Sequence, residues 1–507
     1  MKNISRLFGY GLLLVLLTVT MPIFAGGGGQ KAASPSGPDS NAPVEVVMYY
    51  TGDVKPGTQE LWDNINKVLK TKMPNTTLKI NMLPTGEYRT TYPLLFASGE
   101  AFDLAYAATW LNFADLAKRG SFKALEDLAP KYAPKLYQRE TPTAIMQATL
   151  NGHLYALPSL WKTYSAYGPV YRTDLVKGTD WNGKMDNFQD LENYLGAVKK
   201  AHPEIEPFMV YSGGSEADDQ FMYFNGIYPM KGSTNDFLFI DPKDPNPKIF
   251  TYYEYSKTPE FLQMMKRWND AGYFPKSGLA DTDGDKVLNG KAAMRFHNID
   301  TYESYYRAKP DWGIQWSNFV SDVSNMAFTQ DCCVVASSSK NPERALQLYD
   351  LILSDEELYR AFYYGIENVT YRIHNVDGQN YVEPISPAIP DRYEFTRMWA
   401  ARTNEFFLPT FGAPADEQKW KATFNSYIKD GVMSQKYRSF VPDFTSVETE
   451  NANCINAHMQ YWWPLELAYV DINTGLQEYQ KQMQAAGIDK VRAALQSQLD
   501  DYIKNYK

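Results

Sequence analysis

The stretch ATLNGHLYALPSLW, residues 148–161, places His153, Tyr155 and Trp161 within nine positions and breaks them with Pro158. Such residues could act on a ligand chemically, with His153 as a base, or hold one unchanged against flat rings. The rest of the sequence supplies little for the first option. No G-x-S-x-G, H-E-x-x-H, C-x-x-C or G-x-x-x-x-G-K-[ST] occurs. His153, His202, His297, His374 and His458 show no metal-ligand spacing, so no metal site built on histidines is expected. DTDGDKVLNGKA, residues 281–292, imitates a calcium loop, with Asp281, Asp283 and Asp285 at its first, third and fifth positions. Lys286 replaces the glycine of the sixth position and Ala292 the glutamate of the twelfth, so the better reading is acidic residues opening a helix near Asp285. A glycosidase needs two carboxylates at fixed separation, and none of the 59 acidic residues is singled out by its surroundings. No catalytic residue, metal or cofactor is therefore expected.

The aromatic residues point to holding. The chain carries 37 tyrosines, 26 phenylalanines and 11 tryptophans in 507 residues. Tyr and Trp join a flat apolar face to a polar tip, which suits ligands such as sugar rings with C–H faces and hydroxyl edges. The competing reading is that these rings fill a large core. The formal net charge is −9 and no basic block occurs, which excludes nucleic acid as an expected partner. Three cysteines make no disulfide framework. Cys332 and Cys333 read as small apolar residues of a buried strand; pairing of either with Cys454 stays open.

The elements that position these residues begin after an export signal. Lys2 and Arg6 precede an apolar run from Gly11 to Met21, then Pro22 and Ala25, which reads as a signal peptide cleaved after Ala25. An uncleaved anchor is the alternative. No cysteine stands there to carry a lipid, so a periplasmic or otherwise extracytoplasmic protein is expected. Residues 26–42, GGGGQKAASPSGPDSNA, read as a flexible tether. VEVVMYY (44–50), LKINML (78–83) and FDLAYA (102–107) read as strands, the first buried on both faces. QELWDNINKVLKTKMP and a short segment from Pro93 to Phe96 read as the helices between them. Strand, helix, strand, helix, strand predicts a doubly wound α/β lobe, whose ligand crevice lies beyond the carboxyl ends of the strands. The pattern restarts after YALPSLW, with strands at 207–215, 291–298 and 332–337. Thr258 with Pro259, Asn341 with Pro342, and Ser354 with Glu357 read as helix starts. The C-terminal third reads as largely helical, ending with Val491, Leu495, Leu499 and Tyr502 on one face.

Together these pieces resemble the extracellular solute-binding proteins of ABC importers, the family that includes the maltose-type sugar binders. FASGEAFDLAYA resembles its S-G-x-x-x-D segment. NGHLYALPS resembles D-G-K-x-Y-A-x-P, with Asn151 and His153 where aspartate and lysine are usual. YGPVYRTDLV, LNGKAAMRF and SSSKNPERALQLYDLILSDE resemble three further segments, and YYGIENVTYRI with the C-terminal AAGIDKVRAALQSQLDDYI is similar to its longer, lipoprotein-type branch. The resemblance implies a type II two-lobed fold with ligand between the lobes. Lobe 1 would hold residues 43–160 and 333–380, lobe 2 residues 161–332 and 381–507, and YALPSLW would be a hinge crossing. His153 would then be a surface residue. It also implies a monomer that captures a carbohydrate, an oligosaccharide in this branch, and passes it to the membrane permease subunits.

Strand ends then supply the candidate site: Tyr50 and Asp53, Trp110, Trp161 and Tyr164, Tyr211 and Ser212, His297 and Asn298, and Glu367 with Asn368 after the helix stop at Gly365. Trp462 joins them through the resemblance of YWWPLELAYVDINTG to the family's ligand-stacking segment. For each, core packing or a turn is the competing reading. Two other functions stay open. The same fold could bind a peptide-like or anionic solute, using Arg89, Arg295 or Arg372, and the chain could be a secreted carbohydrate-active enzyme.

Overall fold

The computed structural model describes residues 42–505 apart from 85–87, 162–166, 231–236, 321–326, 387–388, 394–398 and most of 414–441. The strands of its two principal sheets are β1 (Val44–Thr51), β2 (Thr76–Leu83), β3 (Leu104–Ala107), β4 (Leu157–Pro158), β5 (Tyr167–Arg172), β6 (Glu206–Phe208), β7 (Ala292–Asn298), β8 (Ile314–Trp316) and β9 (Cys332–Val335). The first sheet runs β2-β1-β3-β9-β4 and the second β8-β5-β7-β6. β1 lies parallel to β2 and β3, joined by helices at Thr58–Lys72 and Tyr88–Ala97, as the alternating pattern requires. β9 enters antiparallel to β3 and β4. In the second sheet β7 is parallel to β6 and antiparallel to β5.

Each sheet has its own core. Val46, Met48, Leu104, Tyr106 and Leu157 pack with Leu346 and Ile352 in lobe 1. Phe208, Met294 and Phe296 pack with Trp268, Trp462 and Leu495 in lobe 2. A smaller core around Val170, Tyr302, Tyr305 and Trp316 also belongs to lobe 2. The last helix, Ile488–Asn505, buries Ile488, Val491, Leu495 and Leu499 completely. Each such side chain contributes about 1.5–3 kcal/mol of burial.

Several expectations are refined. β1 alternates, with Val46, Met48 and Tyr50 buried, Glu45 exposed and Val47 partly so, because its second face is only partly covered. Of residues 207–215 only the start is strand; Tyr211 closes a tight turn on Gly214. The helix at Glu356–Tyr363 is capped by Asp355, one residue later than expected, and Thr258 is the first residue of its helix rather than the cap. The expected limit of lobe 1 at residue 380 falls short, since Ala400 and Ala401 lie in the first core with Trp399 against it. Cys332 and Cys333 are buried in β9, and all three cysteines are free, Cys454 lying in the other core.

The motif residues have structural duties. Asp103 accepts from Val47 N at 3.0 Å and Ser339 Oγ at 2.7 Å, tying β1 to the segment after β9. Asn151 and Gly152, both at positive φ, turn a short hairpin between Thr149–Leu150 and His153–Leu154. Asn-Gly favours this turn because both positions need the left-handed region.

Three segments lie side by side where the chain passes between lobes. Ser159 N donates to Asp331 O at 2.9 Å, and Leu160 bridges to Thr403. Just beyond, Gly168 runs against Ser317, whose carbonyl oxygen would sit 1.7 Å from a Cβ at that position. Gly168→Ala is expected to cost at least about 1–3 kcal/mol by forcing the two strands apart. A denaturant midpoint equal to wild type would count against this reading.

Candidate functional site

Sheet register defines the rim of the crevice in each lobe. In lobe 1 the end of β3, Ala107, pairs with Cys332 at the start of β9, and Cys332 pairs with Pro158 at the end of β4. Trp110, Asp331 and Trp161 therefore emerge along one edge. In lobe 2 the end of β7, Asn298, pairs with Tyr167 at the start of β5, while the turn after β6 carries Tyr211 and Ser212.

The lobe 1 rim is an aromatic shelf. Trp110 and Trp399 meet edge to face with centroids 5.9 Å apart, and both rest on Tyr106, at 6.0 and 5.7 Å. Trp161 packs edge-on to Phe407 at 4.8 Å, with the Arg402 guanidinium 5.3 Å from its ring centroid. All three tryptophans are partly exposed. Under the shelf lies a buried polar tie. Arg402 pairs with Asp331 at 2.7 Å, and the Tyr106 hydroxyl donates to the other Asp331 oxygen at 2.9 Å. Burial, then the Asp331 charge, raises the Tyr106 pKa well above its ordinary value, so the hydroxyl remains a donor. Thr109 and Gln330 add a bond at 3.1 Å. Trp399, Arg402 and Phe407 were not legible as rim residues, because nothing local in MWAARTNEFF places that segment beside β3; Asp331, directly before β9, gains its role only from Arg402.

Other candidates fall as follows. Tyr50 is buried, stacked 5.3 Å from Tyr106 with its hydroxyl accepting from Ala400 N at 2.8 Å, so it supports the shelf from below. Asp53 is exposed just past β1. Tyr164 lies outside the described residues. Tyr211 is partly exposed and Ser212 exposed, on the turn after β6. His297 bonds Thr301 Oγ1 at 2.6 Å, and Asn298 caps the following helix through Thr301 N. Glu367 and Asn368 are exposed on the turn that opens the hairpin of Tyr371–Val376 and Gln379–Pro384, not at a strand end of either principal sheet. Trp462 is corrected to a core residue. It has no exposed surface, stacks on Tyr252 at 4.1 Å and donates to Asp218 at 2.8 Å. Burial raises the pKa of Asp218, and burial with the Asp218 charge raises that of Glu466, which accepts from Ser215.

The remaining chemistry of the sequence is absorbed structurally. His153 is exposed and bonds Glu126 at 2.7 Å. The segment 284–290 is a turn, not the expected helix. In that loop the buried Lys286 ammonium contacts Asp281 and Glu206 at 2.9 Å and Val210 O at 2.7 Å, supplying a cation from the chain itself. Among the described residues no group of three or more His, Cys, Asp or Glu could hold a metal ion.

Residues 67–370 match the bacterial extracellular solute-binding protein family. The chain belongs to that family. Residues 436–504 also match a domain of unknown function. A carbohydrate ABC transporter substrate-binding protein of Streptococcus pneumoniae is 24% identical over 501 residues, covering 95% of this chain and 94% of that protein. The N-glycan transport solute-binding protein of S. pneumoniae, in complex with Man1GlcNAc, superposes with a TM-score of 0.75 at 21% identity, over 91% of this chain and all of that one. The S. pneumoniae substrate-binding protein FusA in complex with kestose gives 0.63 at 16% identity, over 91% of this chain and all of that one. The shared fold is the two-lobed type II solute-binding fold.

Proposed function

We propose that this chain is the substrate-binding component of an ABC importer, which takes a carbohydrate, specifically an oligosaccharide, between its lobes and delivers it unaltered to membrane permease subunits. The observation that carries the reading is the shelf of Trp110, Trp399 and Trp161 on the rim where the chain crosses between lobes. Flat, partly exposed rings suit the C–H faces of successive sugar units, and polar groups beside them fix orientation. The relatives named above, with carbohydrate, N-glycan and kestose in their names, support it.

Ligand that touches both lobes shifts the protein toward its closed form by its differential affinity for that form. Two ion pairs span the lobes here: one joins Lys118 to Asp443, and the other joins Arg119 to Glu448 at 2.5 Å. An anionic ligand is less favoured, because Arg295 is bound by Glu216 and Arg372 by Glu383; the Arg89 side chain lies outside the described residues. The reading includes an exported, monomeric protein without enzymatic activity. No helix of the described residues is long and apolar enough to cross a membrane.

The test is a panel of neutral glycans, including mannose-containing and fructose-containing oligosaccharides. We expect a saturable rise in melting temperature and a change in tryptophan fluorescence with one sugar class, and the same ligand mass recovered afterwards. Recovery of a cleaved or modified glycan would overturn the reading, as would response only to anionic or peptide solutes.

A further inference from the structure

Glu216, in the segment after β6, and Arg295, on β7, form a charged pair that neither the lobe 1 shelf nor the polar tie beneath it uses. Arg295, on β7, is 91% buried as a residue. Its Nη2 donates to Glu216 Oε1 at 2.7 Å and its Nη1 to Gly284 O at 3.1 Å, while Nε has no hydrogen-bond partner. Burying a guanidinium is expensive, and here only one carboxylate answers it. That carboxylate is anchored through one oxygen, and its side chain keeps 18% exposure. Its second oxygen has no donor among the described contacts.

The backbone shows a second cost at the same residue. Glu216 adopts φ +63°, in the left-handed region. Glutamate has no short side-chain bond to compensate there, unlike Asn or Asp, and such strain gathers at sites where geometry is used. The pair lies just beyond the carboxyl end of β6, parallel to β7, on the edge that also carries His297 and Asn298. Tyr211 stands beside it, its ring centroid 5.8 Å from the guanidinium and its surface partly exposed. Gly213 lets that ring lie against the turn, since a Cβ there would fall 2.4 Å from the ring.

We infer that Glu216 contacts the ligand, accepting hydroxyl hydrogens of a neutral sugar, with Arg295 as its positioning residue and the Tyr211 ring as the apolar surface beside it. This rests on the carbohydrate-binding reading. A carboxylate with an unused oxygen takes O–H donors, and the adjacent guanidinium holds it in one orientation without leaving net charge. The site therefore prefers neutral sugars to a uronic acid, whose ionised carboxylate offers the free Glu216 oxygen no hydrogen to accept.

The test uses full-length protein, calorimetric titration and melting temperature, with the neutral glycan that binds wild type and its counterpart ending in a hexuronic acid. Aspartate tolerates the left-handed region better than glutamate and keeps a charge near Arg295, so Glu216→Asp should remain folded, relief of the backbone offsetting part of the cost of a looser ion pair. It withdraws the carboxylate, so affinity for the neutral glycan should fall about tenfold, the scale of one charge-assisted hydrogen bond. Glu216→Gln should lose a similar factor for the neutral glycan and gain affinity for the uronic acid form, because Arg295 is then unpaired. Both variants folded and binding the neutral glycan within about twofold of wild type would overturn the inference and leave the carbohydrate-binding reading standing, one charge-assisted hydrogen bond being worth about tenfold. A wild type that binds no glycan removes both.

Discussion

Trp399→Ala is expected to raise the Kd for the bound glycan about 30-fold, roughly the 2 kcal/mol that a central aromatic contact carries. Trp399 and Trp110 meet edge to face at 5.9 Å and 73°, so the two rings form a corner with Tyr106 as its base. A sugar ring on either face loses contact area when one wall is removed, and the other indole loses the neighbour that fixes its angle. Trp110→Ala should have an effect of similar size. Trp399→Phe, which keeps a smaller wall, should fall between wild type and alanine. Both rings are partly exposed, so melting temperature should move far less than affinity. Titration calorimetry and ligand-induced tryptophan fluorescence read the result; an unchanged Kd in both alanine variants would remove the shelf from the site.

Asp331→Asn should produce the largest loss of stability, about 3–5 kcal/mol, because it leaves the Arg402 guanidinium buried without its countercharge. Both side chains are under a tenth exposed, and they come from different segments at the crossing. The Tyr106 bond to Asp331 would weaken as well. The double variant Asp331→Leu, Arg402→Met should recover most of that loss, since replacing both members of a buried pair by apolar residues is often neutral. It should still bind glycan poorly, as Trp161 loses the cation beside its ring and the three segments lose their polar tie. Equilibrium denaturation of the single and double variants separates these effects. A single variant as stable as wild type would show that the tie does not hold the crossing together.

What could be read early was local. Strand and helix periodicity located β1, β2, β3, β7 and β9, and Pro342 and Gly365 marked real boundaries. The positions of Trp110 and Trp161 on the rim were legible because each follows directly on a strand end or crossing. Trp462 misled for the same reason it attracted notice: YWWPLELAY reads alike whether its rings meet a ligand or Tyr252. The imitation calcium loop could be discounted from its sixth and twelfth positions, yet the ammonium that fills it became visible only with Glu206 and Val210 beside Lys286.

The amino-acid order alone therefore determined the alternating α/β elements, the family resemblance and the supply of aromatic rings, because periodicity, caps and turn residues act over a few positions. Tertiary structure decided which rings meet and which charges are matched. Trp399 joins Trp110, Arg402 joins Asp331, and Glu216 joins Arg295 through sheet register and the return of distant segments to the crossing. Those pairings depend on long-range packing, which no window of the chain contains.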